Sequence, residues 1–427
     1  MAIETPPRIS ADDLQLARIM LTENEEFRSR SEQCVEGYDY WSKLKYKVPN
    51  SISPQVLWAA VKDMRNMGSK VDIPAFGVHF SMTRSMMSVL HGIDMKAGGA
   101  LTSSYDLREA DKFRYVLMSV TEDEAFTSSS IEGASTTRRV AVQMLRENRR
   151  PKDRSERMIA NNFAAINLIY DFADCDLSVP LIKKIHATIT DGTLDDGAAA
   201  GEFRKNDEVV VANAITNEIV HRPPSFTEIE GVMRSLCDFV NNSGGGRFIH
   251  PVIKAIIAHY VIAYVHPFVD GNGRTARALF YWCMAKYGYW ITKYISISTI
   301  IGMSKKSYEN AYQYSAADGG DIGYFIQYNL EVISKAVERL TLYLHKKAGE
   351  AYNERQNIRK SLNLRQLMAY DYLRSGAVVS VTAKEIASKC GVSIPTATKD
   401  LNHMVGLGLI EKVKTFGMGY VYILHDE

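Results

Sequence analysis

Paired cysteines are missing from this chain of 427 residues. The five that occur, Cys34, Cys175, Cys237, Cys283 and Cys390, are odd in number, scattered, and nowhere spaced C-x-x-C. That excludes a disulfide framework and a cysteine-based zinc site, and predicts small buried hydrophobes in a reducing compartment. Charge bias is missing too. With 51 Lys and Arg against 49 Asp and Glu, the formal net charge is +2, too little for a chain-wide hold on nucleic acid or membrane. No apolar run approaches the length of a membrane span, and the start, Met-Ala-Ile-Glu-Thr-Pro-Pro, lacks the basic segment and apolar core of a leader. A cytoplasmic protein with no membrane partner is expected. An apolar fraction of 46% against 23% charged residues sets disorder aside and, at this length, predicts two or three globular domains.

What is present is concentrated in one stretch, His266-Pro267-Phe268-Val269-Asp270-Gly271-Asn272-Gly273-Arg274-Thr275-Ala276-Arg277. It offers an imidazole that titrates near neutral pH, a carboxylate suited to Mg²⁺, an amide, two glycines and two guanidinium forks. Glycines let successive N–H groups converge, and a helix starting near Thr275 adds unpaired N–H groups and a positive dipole end. A tight turn between buried helices would account for the glycines. It would not account for His266, Asp270, Arg274 and Arg277 together, because arginines three apart on a helix share a side and repel unless an anion lies between them. Strongly apolar helices predicted over 251–265 and 275–287 flank the loop and hold it rigid, as phosphate stabilisation requires. His186 and His259, each inside a predicted helix, read as packed residues, and His79 and His91 receive no role.

The stretch matches the signature His-x-Phe-x-Asp/Glu-Gly-Asn-Gly-Arg-x-x-Arg at every fixed position, and so resembles the Fic family, whose members typically transfer AMP from ATP to a hydroxyl of a target protein. The resemblance implies a mainly α protein with a Fic-type helical core and a β-hairpin flap. It implies that His266 is the general base and that Asp270 holds Mg²⁺ on the phosphates. Gly271, Asn272 and Gly273 would then supply donors to phosphate oxygens, Arg274 and Arg277 would neutralise the β- and γ-phosphates, and Phe268 would point inward as a structural anchor. ATP is the implied substrate, and a target protein or the chain itself the acceptor.

Upstream, Thr127-Ser128-Ser129-Ser130-Ile131-Glu132-Gly133 taken alone is a helix boundary: Ser128 to Glu132 is one turn, Gly133 suits a helix end, and a second helix would begin at Ser135 or Thr136. Beside the loop, it resembles the inhibitory motif of Fic proteins, Ser/Thr-x-x-x-Glu-Gly/Asn, in an inhibitory helix placed at 121–149. That resemblance implies that Glu132, with Ser128, occupies the Arg277 fork needed by the γ-phosphate, so that the resting enzyme is slow. Short β-branched runs at 209–212 and 217–220 read as a hairpin, either an edge open to strand addition by a peptide or a plain surface connection. With Gly201-Glu202-Phe203-Arg204 they resemble the family's flap.

Residues 1–110 read as a mainly helical N-terminal extension, with helices over 11–22 and 54–66, the second capped by Ser53, and a strand or loop over 73–80. The core is placed at 111–345 and a helical linker at 346–360. At 361–427, helices over 364–373, 382–389 and 394–405 precede strands over 409–413 and 419–424, an order that resembles a C-terminal winged helix-turn-helix domain. Thr396, Thr398, Lys399 and Asn402 on its third helix, with Lys412 and Lys414 near the wing, are types that can meet DNA. Against this, Glu385, Asp400, Glu411, Asp426 and Glu427 leave no evident basic surface, so partner docking or a homodimer is at least as well supported.

Three functions are compatible with these residues. The expectation is AMP transfer to a protein, held slow by Glu132. The alternatives are removal of AMP, with Glu132 orienting an attacking water, and a non-catalytic regulator that senses nucleotide and binds DNA through its C-terminus. The complete set of His266, Asp270, Asn272 and Arg277 disfavours the last.

Overall fold

The computed structural model describes residues 3–49, 52–97, 110–212, 218–241, 248–374, 378–414 and 419–424. Residues Met1–Leu340 form one compact unit and Thr341–Glu427 a second. Among the described residues no helix is long and apolar enough to cross a membrane.

The first unit opens with helices α1 (Ala11–Glu23), α2 (Glu25–Glu36), α3 (Trp41–Leu44) and α4 (Pro54–Met67). Ser10, Asn24 and Ser53 cap α1, α2 and α4 through side-chain oxygens that accept first-turn N–H groups. Strands β1 (Ser69–Ile73) and β2 (Val78–Met82) then pair antiparallel across a turn in which Gly77 takes φ 62°. The segment expected as strand or loop at 73–80 is that turn and most of β2. His79 sits in β2, bonded through its backbone to Gly320 and Ile322. Helix α5 (Arg84–Ala97) follows.

A buried polar network fastens this N-terminal segment to the core. Arg65 is 2% exposed. Its guanidinium lies 4.0 Å from the Tyr38 ring and 5.2 Å from the Tyr324 ring. Tyr38 donates to Asp321 (2.6 Å), and Lys62 pairs with Asp318 (2.8 Å) and Asp321 (3.1 Å). Charges so buried persist only when paired, which makes the network a fixed point between residues 38–65 and 318–324.

The core contains α6 (Ala110–Ile131), α7 (Arg138–Arg146), α8 (Arg154–Asp171), α9 (Val179–Thr190), strands β3 (Val211–Ala212) and β4 (Ile219–His221), α10 (Ile229–Asn241), α11 (Pro251–Val265), α12 (Asn272–Lys286), α13 (Ile297–Met303), α14 (Lys305–Ala317) and α15 (Gly323–Ser361). Helix α11 is apolar and buried on nearly every side, and α12 packs along it, with α8 and α9 against α12. Helix α11 ends where the apolar spacing placed it.

Other boundaries differ from the sequence expectations for local reasons. Helix α12 begins at Asn272 rather than Thr275, because Gly271 at φ 79° is the cap and the glycine-rich run is itself the first turn. Helix α7 begins at Arg138, not at Ser135 or Thr136: the Ser135 N–H is taken by Ser155 Oγ, and Thr137 supplies the cap. The helical linker expected at 346–360 lies within α15. Of the cysteines, Cys34, Cys237 and Cys283 are buried as expected, but Cys175 is exposed and Cys390 half-buried.

In the second unit, α16 (Leu364–Arg374), α17 (Ala383–Cys390) and α18 (Ile394–Gly406) precede the antiparallel pair β5 (Ile410–Lys414) and β6 (Tyr420–Leu424). A core of Leu373, Ile386, Leu401, Met404, Ile410 and Tyr422 joins them, and Val381 adds a backbone bridge to Tyr422. This is the element order of a winged helix-turn-helix. The hairpin connection at 213–217, Asp426 and Glu427, all invoked from sequence, lie outside the described residues.

Candidate functional site

The loop between α11 and α12 is shaped at its first residue. His266 closes α11 in the left-handed conformation, φ 49° and ψ 57°, its N–H bonded to the Ile262 carbonyl at 3.0 Å. Its Nδ1 lies 3.1 Å from the Ala263 carbonyl. A carbonyl only accepts, so Nδ1 carries the proton and Nε2 keeps a free lone pair. Burial lowers the pKa of the ring from the usual 6.5, with the bond to Ala263 opposing. At neutral pH His266 is therefore uncharged and able to take a proton.

Phe268 is fully buried. Its ring lies flat on the His186 ring, 3.7 Å between centroids with 1° between planes. Asn272 closes the loop over it: Oδ1 accepts from the Phe268 N–H (3.0 Å) and Nδ2 donates to the Phe268 carbonyl (2.8 Å). The amide expected to serve phosphate thus staples the loop, and what Asn272 presents at the first turn of α12 is its backbone N–H.

His186 does more than fill space. Nε2 donates to the Asp270 carbonyl (2.9 Å), while Nδ1 accepts from the Gly201 N–H (2.9 Å). Only a neutral imidazole can do both, and burial pushes its pKa down to about 4 despite the Asp270 bond. Arg204 clamps the other side, its N–H on the Pro267 carbonyl (2.9 Å) and Nε on the His266 carbonyl (3.1 Å). The Gly-x-x-Arg spacing was visible in sequence, but nothing there tied it to His266. His186 also makes stability depend on pH. An unfolded histidine protonates near pH 6.5, the folded one only near 4. Its contribution is complete above the first value and is lost on acidification through the second, about 3 kcal/mol in all. Thermal unfolding followed across that range should show a loss of this order that is reduced in His186→Gln.

Helix α12 admits only glycine at its cap: a Cβ on Gly271 would stand 2.7 Å from Thr190 Cγ2, at a φ side chains avoid. Three residues on, Arg274 has a fully buried side chain. Nη1 donates to the Ile189 carbonyl (3.1 Å), Nη2 lies 3.8 Å from Asp270 Oδ2, and Nε and Nη2 have no hydrogen-bond partner among the described residues. Burial lowers its pKa, opposed by Asp270 and Glu132. A buried guanidinium with orphan donors is a ready anion site.

Arg277 is the reverse case. Nε donates to Ser128 Oγ (2.8 Å), and Nη2 to the Ser128 carbonyl (2.9 Å) and to Glu132 Oε1 (2.9 Å). Burial works against its charge, but Glu132 prevails and the pKa is raised. Glu132 lies just past the end of α6, before Gly133 at φ 96°. Its carboxylate covers the first turn of α12: a Cβ on Gly273 would stand 2.1 Å from Oε1. The protein's own anion thus sits at a helix N-terminus, where the dipole and free N–H groups favour one. Glu124 holds α6 in place by accepting from Tyr281 Oη (2.9 Å), Ser296 Oγ (2.8 Å) and the Ser298 N–H (3.0 Å).

Asp270 is about half exposed at 48%; Oδ1 accepts from the Gly271 N–H (2.6 Å), and Oδ2 faces Arg154 at 3.7 Å. Among the described residues no three metal-binding side chains gather. A single carboxylate still suits Mg²⁺, which takes one or two from protein and the rest from phosphates and water.

His266, Glu132, Gly273 and Arg277 line one cavity of about 510 Å³, with Val211 and His221 of the β3–β4 hairpin on its wall. The volume is that of a small-molecule site. Together the fold and site define a helical domain in which the chain's own Glu132 carboxylate lies at the N-terminus of α12 beside Arg277.

Residues 176–284 match the model of the Fic/DOC family. The chain is 29% identical over 184 residues to the protein adenylyltransferase Fic of Drosophila willistoni, covering 41% of this chain and 32% of that protein. The Drosophila melanogaster protein of the same name matches at 29% over 184 residues, 33% of its length. The match thus spans about a third of these curated relatives. Among solved structures, a Fic family protein from Desulfovibrio desulfuricans superposes with a TM-score of 0.55 at 19% identity, over 82% of this chain and 98% of that one. A Fic-1 structure from C. elegans gives 0.50 at 20%, over 78% and 88%. Residues 176–284 thus carry the match to the Fic/DOC family, and the fold is that of a solved Fic family protein.

Proposed function

We propose that this protein transfers AMP from ATP to a hydroxyl of a protein, and that Glu132 restrains it. The observation that carries the reading is the shared cavity: a neutral His266 with Nε2 free stands beside a helix N-terminus and the buried Arg277, and a carboxylate occupies the anion position. The relatives named protein adenylyltransferase support the same chemistry.

In this reaction a Ser, Thr or Tyr oxygen attacks the α-phosphate, its proton passes to His266 Nε2, and the bond to pyrophosphate breaks. The first-turn N–H groups of α12 and the orphan donors of Arg274 receive phosphate oxygens, and Arg277 receives the terminal phosphate once Glu132 withdraws. Asp270 would hold Mg²⁺ together with the nucleotide, where the ion would neutralise phosphate charge. The hairpin lining the cavity suits the approach of a target segment.

Incubation of the protein and of its Glu132→Gly variant with ATP labelled at the α- or the γ-phosphate tests this. Protein that retains α label but not γ label supports AMP transfer; γ label alone, or none in either form, overturns it. Release of AMP from a labelled protein, faster with Glu132 than without, would support the hydrolytic alternative. The depressed His266 pKa sets the pH profile: with a base that stays neutral below pH 6.5, the acid limb of the rate should fall below that value. A limb at or above it would assign the limiting group elsewhere.

A further inference from the structure

We infer that Lys305 is a positioning residue for the restraint: by binding the Ile131 carbonyl it fixes the peptide unit that carries Glu132, and so holds that carboxylate over the N-terminus of α12. This role rests on the restraint proposed for Glu132. The glutamate makes its ion pair through one oxygen, 2.9 Å from Arg277 Nη2, and its side chain is 30% exposed. One such bond does not by itself fix a flexible side chain, so its place is set by the backbone that carries it.

That backbone is the end of α6, where the last carbonyls of a helix need partners from outside its ladder. Arg277 Nη2 takes the Ser128 carbonyl (2.9 Å). The Ser129 carbonyl accepts from the Glu132 and Ala134 N–H groups (3.1 and 3.0 Å), and that of Ser130 from the Gly133 N–H (3.1 Å). The Ile131 carbonyl accepts from Lys305 Nζ at 3.3 Å. This carbonyl and the Glu132 N–H belong to one planar peptide unit, so Lys305 and Ser129 grip that unit from its two ends. A cation here is also favoured by the negative end of the helix dipole.

Lys305 is the last rung of a ladder. Glu124, Thr127 and Ile131 share one face of α6, and opposite them, in the same order, stand Ser298, Gly302 and Lys305. Glu124 accepts from the Ser298 N–H at 3.0 Å. A Cβ on Gly302 would stand 3.2 Å from Thr127 Cγ2, so the two segments run in close contact there. Ser304, at the junction of α13 and α14, ties the ladder to α15, its Oγ 2.8 Å from Tyr328 Oη. Residues 298–305 are thus a splint along α6 that ends one residue short of Glu132. Lys305 also lines the cavity that holds His266 and Arg277. A lysine that only bound nucleotide would lower the rate when removed, whereas one that holds the restraint raises it, and the sign separates the two.

Labelling from ATP by Lys305→Ala, in the parent and in the Glu132→Gly background, tests the inference together with amide hydrogen exchange over Thr127 to Ala134. Lys305 is exposed and its bond is long, so the substitution should raise labelling in the parent by only about two- to fivefold. It should give no rise where Glu132 is already absent, and it should speed exchange at the end of α6. Lys305→Arg, which keeps a cation and its donors, should retain the parental rate and exchange. A fall in labelling in both backgrounds would make Lys305 a nucleotide ligand and overturn the inference. Parental labelling by Lys305→Ala while Glu132→Gly is raised overturns it too, as does unchanged exchange or a rise of equal size in both backgrounds. A Glu132→Gly variant that labels at the parental rate would instead overturn the restraint on which the role of Lys305 depends.

Discussion

Glu132→Gly should raise AMP labelling from ATP by about 10- to 100-fold. A hydrogen bond to a charged group contributes about 1.5–3 kcal/mol, and about 1.4 kcal/mol corresponds to a factor of ten. Glu132 gives Arg277 one such bond at 2.9 Å with its side chain 30% exposed, so the upper figure is a ceiling. The substitution acts twice. It frees the Arg277 fork for a phosphate, and it clears the space above Gly273, where the carboxylate oxygen now stands. Arg277 keeps two bonds to Ser128 and so stays in position. Ser128→Ala, which leaves Glu132 intact, should change labelling by only a few-fold. Rates measured with labelled ATP for the three forms decide the matter, and equal rates in the parent and the Glu132→Gly variant would remove the restraining role.

His266→Ala, made in the Glu132→Gly background, should lower transfer by about 10²- to 10⁴-fold, the range for removing a general base. Two features complicate a simple deletion. His266 caps α11 at φ 49°, which alanine tolerates poorly, and its Nδ1 is bonded to Ala263. His266→Asn is the better companion, because asparagine accepts the left-handed conformation but supplies no base. Both variants should lose transfer while nucleotide still protects them against thermal unfolding. An asparagine variant that keeps the parent rate would show that His266 shapes the loop without taking the proton.

Much of this was legible one residue at a time. The ends of α11 follow from apolar spacing and a first-turn proline, which depend on neighbours within a few positions, whereas α12 starts three residues before the expected Thr275. The role of His186 was not legible. Its partners, Gly201 and Asp270, lie 15 and 84 residues away, and a histidine in an apolar helix looks the same whether it packs or props a loop. Glu124 is a similar case: its partners are on a segment more than 150 residues later. Asp400 is a further case. Counted by composition it opposed a basic face, whereas folding turned it onto Arg365 and took it off the surface.

The stretch from His266 to Arg277 by itself determined which groups the proposed site has to work with, since imidazole, carboxylate, glycines and guanidinium groups follow one another there. Only the tertiary structure decided the state of that site. It set the tautomer of His266 through a carbonyl on α11, left Arg274 with unsatisfied donors, and brought Glu132 across 145 residues to Arg277. The physical reason is range. Local dihedral and capping preferences act over a turn or two, while burial and charge pairing act between whatever residues packing brings together.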